Sequence, residues 1–152
     1  MEIDVTTEYH KGMDEIERVL SEEELYECPI THYFVNGLYC REMFVAKGVA
    51  LTSKIHKTMH PFILSMGKIG VIDNNKEPKV LEAPYFGVTM PETRRFIYAI
   101  EDSIWTTIHR TDIKPKSNSE EDIEKAAQEV EDIIIQKHDN KLLNKEENIW
   151  LS

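Results

Sequence analysis

The sequence lacks a long hydrophobic segment. Its apolar runs, such as Ile133-Ile134-Ile135, are far shorter than the roughly 20 apolar residues that a membrane-spanning helix needs. The first residues are acidic, whereas a secretory signal begins with positive charge followed by an apolar stretch. We therefore expect neither a membrane span nor a signal peptide, and no membrane partner.

The sequence also contains little cysteine. Cys28 and Cys40 are its two cysteines, and they form no Cys-x-x-Cys or other spacing typical of a metal site. A lone pair in a chain without an export signal is expected to stay reduced, which indicates a cytoplasmic compartment. With 152 residues, the chain is long enough to bury the core of one domain without disulfides.

Positive charge is scarce as well, since the formal net charge is −10 at pH 7. Nucleic-acid binding depends on clustered Lys and Arg, so we expect no nucleic-acid partner. Residues 1–29 and 118–152 each carry ten acidic side chains, whereas residues 30–117 carry twelve basic and eight acidic ones. Either the acidic arms are surface helices that keep the protein in solution, or they dock on the basic middle segment of the same or a neighbouring subunit.

The order of local patterns predicts a β-domain after a helical arm. Apolar residues at helical spacing predict a short amphipathic helix over residues 12–27. After Pro29, β-branched and aromatic runs alternate with turn residues, and Asn36-Gly37 is a strong hairpin signal. Many short strands at regular spacing are typical of an antiparallel sandwich or barrel. The predicted strands are Thr31–Val35, Leu38–Val45, Val49–Ile55, His60–Met66, Lys68–Ile72, Val80–Ala83, Tyr85–Thr89, Arg95–Ile100 and Ser103–His109.

A polar linker and a helix are predicted after the strands. Ser119 and Asp122 fit a capping box, and apolar residues from Ile123 to Ile134 line one helix face. That face must be buried against the barrel or a neighbouring subunit. The predicted divisions of the chain are an acidic helical arm at 1–28, a β-barrel at 29–112, and a linker, acidic amphipathic helix and tail at 113–152.

One stretch carries the glycine and ligand spacing of a known family. The run Gly48-x5-Lys54-x-His56-x3-His60-x6-Gly67 resembles the first cupin motif, in which a glycine opens a strand, metal ligands follow and a second glycine closes the hairpin. Lys54 and His60 stand where the family usually has His and Glu, and Phe96 occupies the place of the fourth ligand, a histidine. The resemblance implies a mainly β, cupin-like barrel of jelly-roll type in which half of the usual metal ligands are missing.

Further runs in the same region carry a second, more specific resemblance. They are Lys54–Phe62, Glu82–Pro84, Thr93–Arg95, Glu101–Asp102 and Ile104–His109. These runs are similar to a set of cupin-like proteins of unknown function encoded by tailed bacteriophages and prophages. The resemblance implies a helical arm before the barrel and an acidic helix after it, a location in the host cytoplasm or virion, and a virion or host protein as partner. It implies no activity.

Three histidines form a candidate metal site. Alternate side chains of a strand share a face, so Lys54 and His56 are expected to point the same way. If the strand faces point into the barrel, His56, His60 and His109 converge and can hold Zn²⁺, Fe²⁺ or Ni²⁺ with an open position for water or substrate. The ammonium of Lys54 argues against a metal, because it repels a cation and cannot coordinate while protonated.

Two other interpretations of these residues stay open. In the first, the histidines are hydrogen-bonded members of a hairpin, and aromatic side chains fill the core. In the second, a pocket without metal takes a small anion, because Arg forks match carboxylate and phosphate. No Ser-His-Asp triad, P-loop or dinucleotide motif is present in the sequence. The candidate ligand-binding residues of the second interpretation are Lys54, His56, Lys57, Arg94, Arg95 and Trp105.

Two functions follow from these alternatives, and the sequence slightly favours the first. It is a phage-type cupin-fold structural or interaction protein that forms a homo-oligomer and has no catalysis of its own. The second is a metal-dependent cupin enzyme, or a protein that sequesters a small anion in the barrel pocket. We expect a metal-free protein under the first function and a bound divalent transition metal, Zn, Fe or Ni, under the metal-dependent form of the second.

Overall fold

The computed structural model describes Lys11, Asp14 and residues 28–74 and 77–136. Apart from Asp14, the predicted N-terminal helix over 12–27 lies outside the described residues, and so does the predicted C-terminal tail. The described elements are β1 Ile30–Val35, β2 Leu38–Val45, β3 Ala50–Thr52, β4 His60–Met66, β5 Lys68–Ile72, β6 Lys79–Glu82, β7 Tyr85–Thr89, β8 Phe96–Ala99, β9 Ser103–Arg110 and the helix α1 Glu120–Ile134.

The strands form two antiparallel sheets. The larger sheet has the order β1-β2-β9-β4-β7, and the smaller has the order β3-β8-β5-β6. From β2 onward, each strand crosses to the other sheet, except that β5 and β6 are neighbours within the smaller one. This interleaved order over β2 to β9 is a jelly roll, which confirms the predicted mainly β architecture.

The core lies between the two sheets, because alternate strand residues point inward. In β2 every second residue from Tyr39 to Val45 is buried. Trp105 of β9 stacks on Phe62 of β4 with ring centroids 4.3 Å apart. The buried residues that fill the main core are Cys28, Met43, Val45, Val49, Leu51, Phe62, Leu64, Ile69, Val71, Leu81, Ile97, Ala99 and Trp105.

Two turns require the glycines that the sequence places there. Gly37, between β1 and β2, has φ of +85°, which confirms the predicted Asn36-Gly37 hairpin. Gly67, between β4 and β5, has φ of +93°. A Cβ at Gly67 would overlap the backbone oxygen of Asp102, so the turn excludes any side chain.

The predicted strand Val49–Ile55 is shorter in the structure. β3 ends at Thr52, and Ser53 then exchanges two hydrogen bonds with Arg95. The backbone N–H of Ser53 donates to the Arg95 carbonyl at 2.8 Å, but the Arg95 N–H donates to the Ser53 hydroxyl at 2.8 Å instead of to a carbonyl. The ladder stops there, so Lys54 and His56 lie in a loop and strand alternation does not apply to them.

Helix α1 begins at the predicted cap. The Ser119 side chain accepts a hydrogen bond from the Asp122 N–H at 3.2 Å. Among the described residues, no helix has the length and hydropathy that a membrane crossing requires.

The apolar face of α1 packs on the chain's own barrel. Tyr39 is fully buried there, and it lies on the same face of β2 as the inward-pointing Met43 and Val45, so α1 covers one end of the barrel interior. Ile133 was predicted on the buried face but is 63% exposed, because it lies just outside the buried arc of the helix, about 20° beyond Ala126. The buried residues of α1 are Ala126, Ala127, Val130 and Ile134.

Candidate metal centre

Three histidines meet at the barrel end that α1 covers. His60 is the first residue of β4, His109 is the penultimate residue of β9, and His56 lies in the loop between β3 and β4. One potential ligand atom from each side chain lies within 4.8 Å of those of the other two. The ring centroids are 4.6 Å apart for His56 and His60, 5.3 Å for His56 and His109, and 4.5 Å for His60 and His109. The structure therefore brings the predicted histidines together.

The register of the larger sheet explains why two of them meet. Strands β4 and β9 are antiparallel, and Phe62 pairs with Thr107. His60 comes two residues before Phe62, and His109 comes two residues after Thr107. The same register therefore sets His60 opposite His109. These side chains are only 4% and 3% exposed. On the other side of β9, His109 pairs with Tyr39 of β2, whose ring centroid lies 6.1 Å from that of the imidazole.

His56 reaches the other two because the end of α1 holds its loop. An isolated antiparallel bridge pairs His56 with Ile135, the residue that ends the helix. Beside it, the Lys57 N–H donates to the Ile134 carbonyl at 2.7 Å. On the opposite side, the His56 carbonyl accepts from the Glu92 N–H at 2.9 Å. Two backbone segments, the end of α1 and the turn at Glu92, thus fix the position of a loop histidine.

Hydrogen bonds orient two of the imidazoles. The Nδ1–H of His60 donates to the Thr58 carbonyl at 3.1 Å, which leaves its Nε2 lone pair available. Nε2 of His109 shares a hydrogen bond with the Thr107 hydroxyl at 2.9 Å. Nδ1 of His109 is buried, and no described group hydrogen-bonds to it. A buried polar atom without a partner is uncommon, and a metal ion is one of the groups that accounts for it.

Burial keeps the imidazoles neutral. Burial, together with the neighbouring His60 and His109, lowers the pKa of His56 to about 3. Burial, together with His60 and Arg41, lowers the pKa of His109 to about 3. Burial lowers the pKa of His60, whereas its hydrogen bond to the Thr58 carbonyl acts in the opposite direction and raises it. Metal ligation requires neutral imidazole, so near pH 7 the three side chains are in the ligating form.

Lys54, which the sequence sets in a ligand position, is paired with a carboxylate from α1. Its Nζ lies 3.8 Å from Oε2 of Glu131, while Oε1 of the same carboxylate lies 3.2 Å from Nε of Arg41. Burial lowers the pKa of Lys54, and Glu131 opposes that shift. Sequence reasoning missed Glu131 and Arg41. The signal for Glu131 was its place one turn after Ala127, on the buried side of the helix.

A small cavity opens beside His56 and His60. Its volume is about 30 Å³, on a measure in which one water needs roughly 10–15 Å³. The cavity therefore suits one or two waters, or a ligand group of a few heavy atoms. Its lining residues are Arg41, Met43, Ser53, Lys54, His56, His60, Thr89, Thr93, Arg95, Ile97, Trp105 and Thr107.

The residues predicted to bind a small anion are only partly brought together at this cavity. Lys54, Arg95 and Trp105 line it, together with His56. Arg94 does not, because its side chain is fully buried and pairs with Asp14 at 3.0 Å. Lys57 is exposed and also lies outside the cavity lining.

Comparison with known proteins bears on the fold. No protein-family model matches the sequence, and no curated protein matches it. Salicylate 1,2-dioxygenase from Pseudoaminobacter salicylatoxidans matches the structure with a TM-score of 0.52 and 12% identity, over 86% of this chain and 36% of the dioxygenase. The interleaved sheet order and this likeness decide the architecture. The described residues form a cupin-like double-stranded β-helix.

Other cupins match with lower scores. An RmlC-like cupin family protein from Methanocaldococcus jannaschii has a TM-score of 0.48 and 9% identity, over 59% of this chain and 85% of that one. The cupin domain of Cnp3 from Schizosaccharomyces pombe has a TM-score of 0.48 and 16% identity, over 61% of this chain and 67% of that domain. At these scores and identities, neither match adds to the assignment of the fold.

The candidate site of this chain departs from the cupin sequence motif in one respect. His56 and His60 come from the first motif, and the place of the fourth ligand is taken by Phe96 of β8. His109 approaches from β9 and completes a set of three nitrogen donors. Zn²⁺, Fe²⁺ and Ni²⁺ accept such donors, so the side chains present fit a divalent transition metal.

Proposed function

We propose that this chain is a metal-binding cupin whose centre consists of His56, His60 and His109. The observation that carries the proposal is that three neutral imidazoles gather within ligating distance of one another, with Nδ1 of His109 buried and without a hydrogen-bonding partner among the described residues. A divalent Zn, Fe or Ni ion suits these ligands. This is the second of the two functions that the sequence left open.

The surrounding residues suit a small ligand next to the ion. A metal held by His56, His60 and His109 would supply a Lewis-acidic or redox-active centre beside the cavity. The Thr58 carbonyl orients His60, and the Thr107 hydroxyl orients His109. Met43 and Trp105 supply apolar wall, which limits the water in the cavity. The ligand is either the substrate of a metal-dependent reaction or a sequestered anion.

Metal analysis tests the proposal directly. We expect the purified protein, or the chelated protein after adding Zn²⁺, Fe²⁺ or Ni²⁺, to hold close to one equivalent of metal. Replacing a ligand by His56→Ala or His109→Ala should lower both metal occupancy and thermal stability, because binding free energy adds to folding free energy. The chelator should lower the melting temperature of the loaded wild type.

His32 offers a matched control. It is a partly buried histidine on β1, outside the cluster, and it is hydrogen-bonded to Tyr39. His32→Ala should therefore keep full metal occupancy. Lys54→Ala should also keep the metal, since Lys54 is paired with Glu131. The proposal is contradicted if the wild-type protein takes up no stoichiometric metal, or if only the Lys54→His variant takes it up.

A structural or interaction role of phage type, in a homo-oligomer, is our second proposal. The apolar face of α1 no longer supports it, because that face packs on the chain's own barrel. Support comes from β7, an edge strand among the described strands, on which Phe86 is 64% and Val88 is 50% exposed. Exposed apolar side chains on a sheet edge are typical of interaction surfaces. Light scattering should show an oligomer that Phe86→Glu dissociates, and a monomeric wild type at micromolar concentration contradicts the proposal.

A further inference from the structure

The wall of the cavity is rich in positive charge. Three cationic side chains line it, Arg41, Lys54 and Arg95, and no carboxylate does among the described residues. Glu131 reaches Arg41 and Lys54 from α1, but it is not a lining residue. A ligand that enters the cavity therefore meets cations and neutral imidazoles, which favours an anion.

Arg95 is held in a defined position on this wall. One of its terminal nitrogens, Nη1, donates to the Thr89 hydroxyl at 2.7 Å. Its guanidinium carbon lies 5.1 Å from the centroid of the Phe62 ring and 5.9 Å from that of Trp105. Aromatic rings contact the face of a guanidinium, whereas carboxylates bind to its N–H edge, so both contacts are compatible. The packing reduces the entropy that Arg95 loses on binding an anion.

The size of the cavity selects among anions. About 30 Å³ holds roughly two water-sized groups. The planar carboxylate group of a small acid such as glycolate has three heavy atoms, so this group needs less of the space beside Arg95 than a five-atom tetrahedral phosphate does. The hydroxyls of Thr89 and Thr93 on the wall add polar partners for a short hydroxylated chain.

We propose that the cavity binds a small carboxylate, which pairs with Arg95 and lies beside the metal held by the three histidines. The contact with Arg95 stands on the geometry of the cavity alone. The contact with the metal rests on the proposed function. The two can therefore fail separately.

Titration calorimetry with glycolate tests the inference on zinc-loaded protein. Arg95→Gln keeps a hydrogen-bonding amide and removes the charge, so glycolate should bind at least about tenfold more weakly while zinc affinity is unchanged. Thr89→Val keeps Arg95 but removes the hydroxyl that orients it, and should give a smaller loss. That second variant keeps the test decisive if Arg95→Gln does not fold.

Lys57→Gln is the matched control, because Lys57 is a cation of the same loop that lies outside the cavity and is exposed. It should leave glycolate binding unchanged. Equal weakening by Lys57→Gln and Arg95→Gln, or tighter binding of inorganic phosphate than of glycolate, would overturn the inference. Zinc binding without any glycolate binding overturns it too and leaves the metal site intact. Glycolate binding that persists in His56→Ala but is lost in Arg95→Gln supports the contact between the carboxylate and Arg95. It also shows that the metal does not contribute to glycolate binding.

Discussion

Acid should destabilise the metal-free protein between pH 7 and pH 5, because of the buried histidines. Folded His56 and His109 have pKa values of about 3, against 6.5 for an ordinary histidine. Besides burial, His60, His109, Arg41 and Lys54 lower the pKa of His56. For His109 the groups that do so are His60 and Arg41. Between pH 6.5 and 3 the unfolded chain therefore binds more protons than the folded one. The stability that the neutral imidazoles contribute is present above pH 6.5 and is lost as the pH falls.

The size of the stability loss follows from how far the pH lies below the pKa of histidine in the unfolded chain. At pH 5 each histidine is about 1.5 pH units below that value, and one unit corresponds to about 1.4 kcal/mol. Each of the two should thus cost the folded state roughly 2 kcal/mol at pH 5, or about 4 kcal/mol together. Because small domains are stable by only about 5–15 kcal/mol, such a loss is easily measured.

Urea unfolding of the chelator-treated protein at pH 7, 6 and 5 measures this loss. His109→Gln does not titrate and keeps an amide that can reach the Thr107 hydroxyl. Its free energy of unfolding should fall by about 2 kcal/mol less than that of the wild type between pH 7 and 5. His56→Gln should show the same smaller loss of unfolding free energy. The same pH slope in wild type and both variants would refute the reasoning, as would a wild type that is more stable at pH 5.

Three other changes test the fold around the site. Deleting residues 118–152 should keep the β signature in circular dichroism but weaken zinc binding at least about tenfold, because the end of α1 holds His56; unchanged zinc affinity would contradict this. Gly67→Ala should lower the free energy of unfolding in urea by about 1–3 kcal/mol, and Gly48→Ala should lower it less. Both glycines have positive φ, but only at Gly67 would the added methyl group overlap backbone, that of Asp102. Tyr39→Phe should lower the free energy of unfolding in the same assay by about 1 kcal/mol, because it loses the 2.7 Å hydrogen bond between the Tyr39 hydroxyl and His32. A variant as stable as the wild type would exclude that contribution.

Much of the barrel could be predicted because its strands are specified locally. Alternating apolar residues and the Asn36-Gly37 turn give the bounds of β2, and β4, β5 and β7 also begin and end at their predicted residues. β3 could not be predicted this way. Its end depends on the hydroxyl of Ser53 replacing a carbonyl as the partner of Arg95, a residue of a distant segment.

The candidate site was predictable in its members but not in its construction. The spacing of the cupin motif indicated His56 and His60, and the face of β9 indicated His109. What sets His60 opposite His109 is the register between β4 and β9, which no local pattern contains. What brings in His56 is the end of α1, a second long-range contact.

Lys54 shows how one such contact changes the meaning of a residue. In the sequence it is a cation in a ligand position, which argues against a metal. In the fold, Glu131 of α1 lies 3.8 Å from its ammonium, and attraction between opposite charges at such a distance offsets part of the repulsion that a metal ion would meet. The same carboxylate also serves Arg41 at 3.2 Å, so one negative charge is shared between two cations. The helix that covers the barrel end therefore makes a metal tolerable there without making the cavity wall acidic, and an anionic ligand suits what remains.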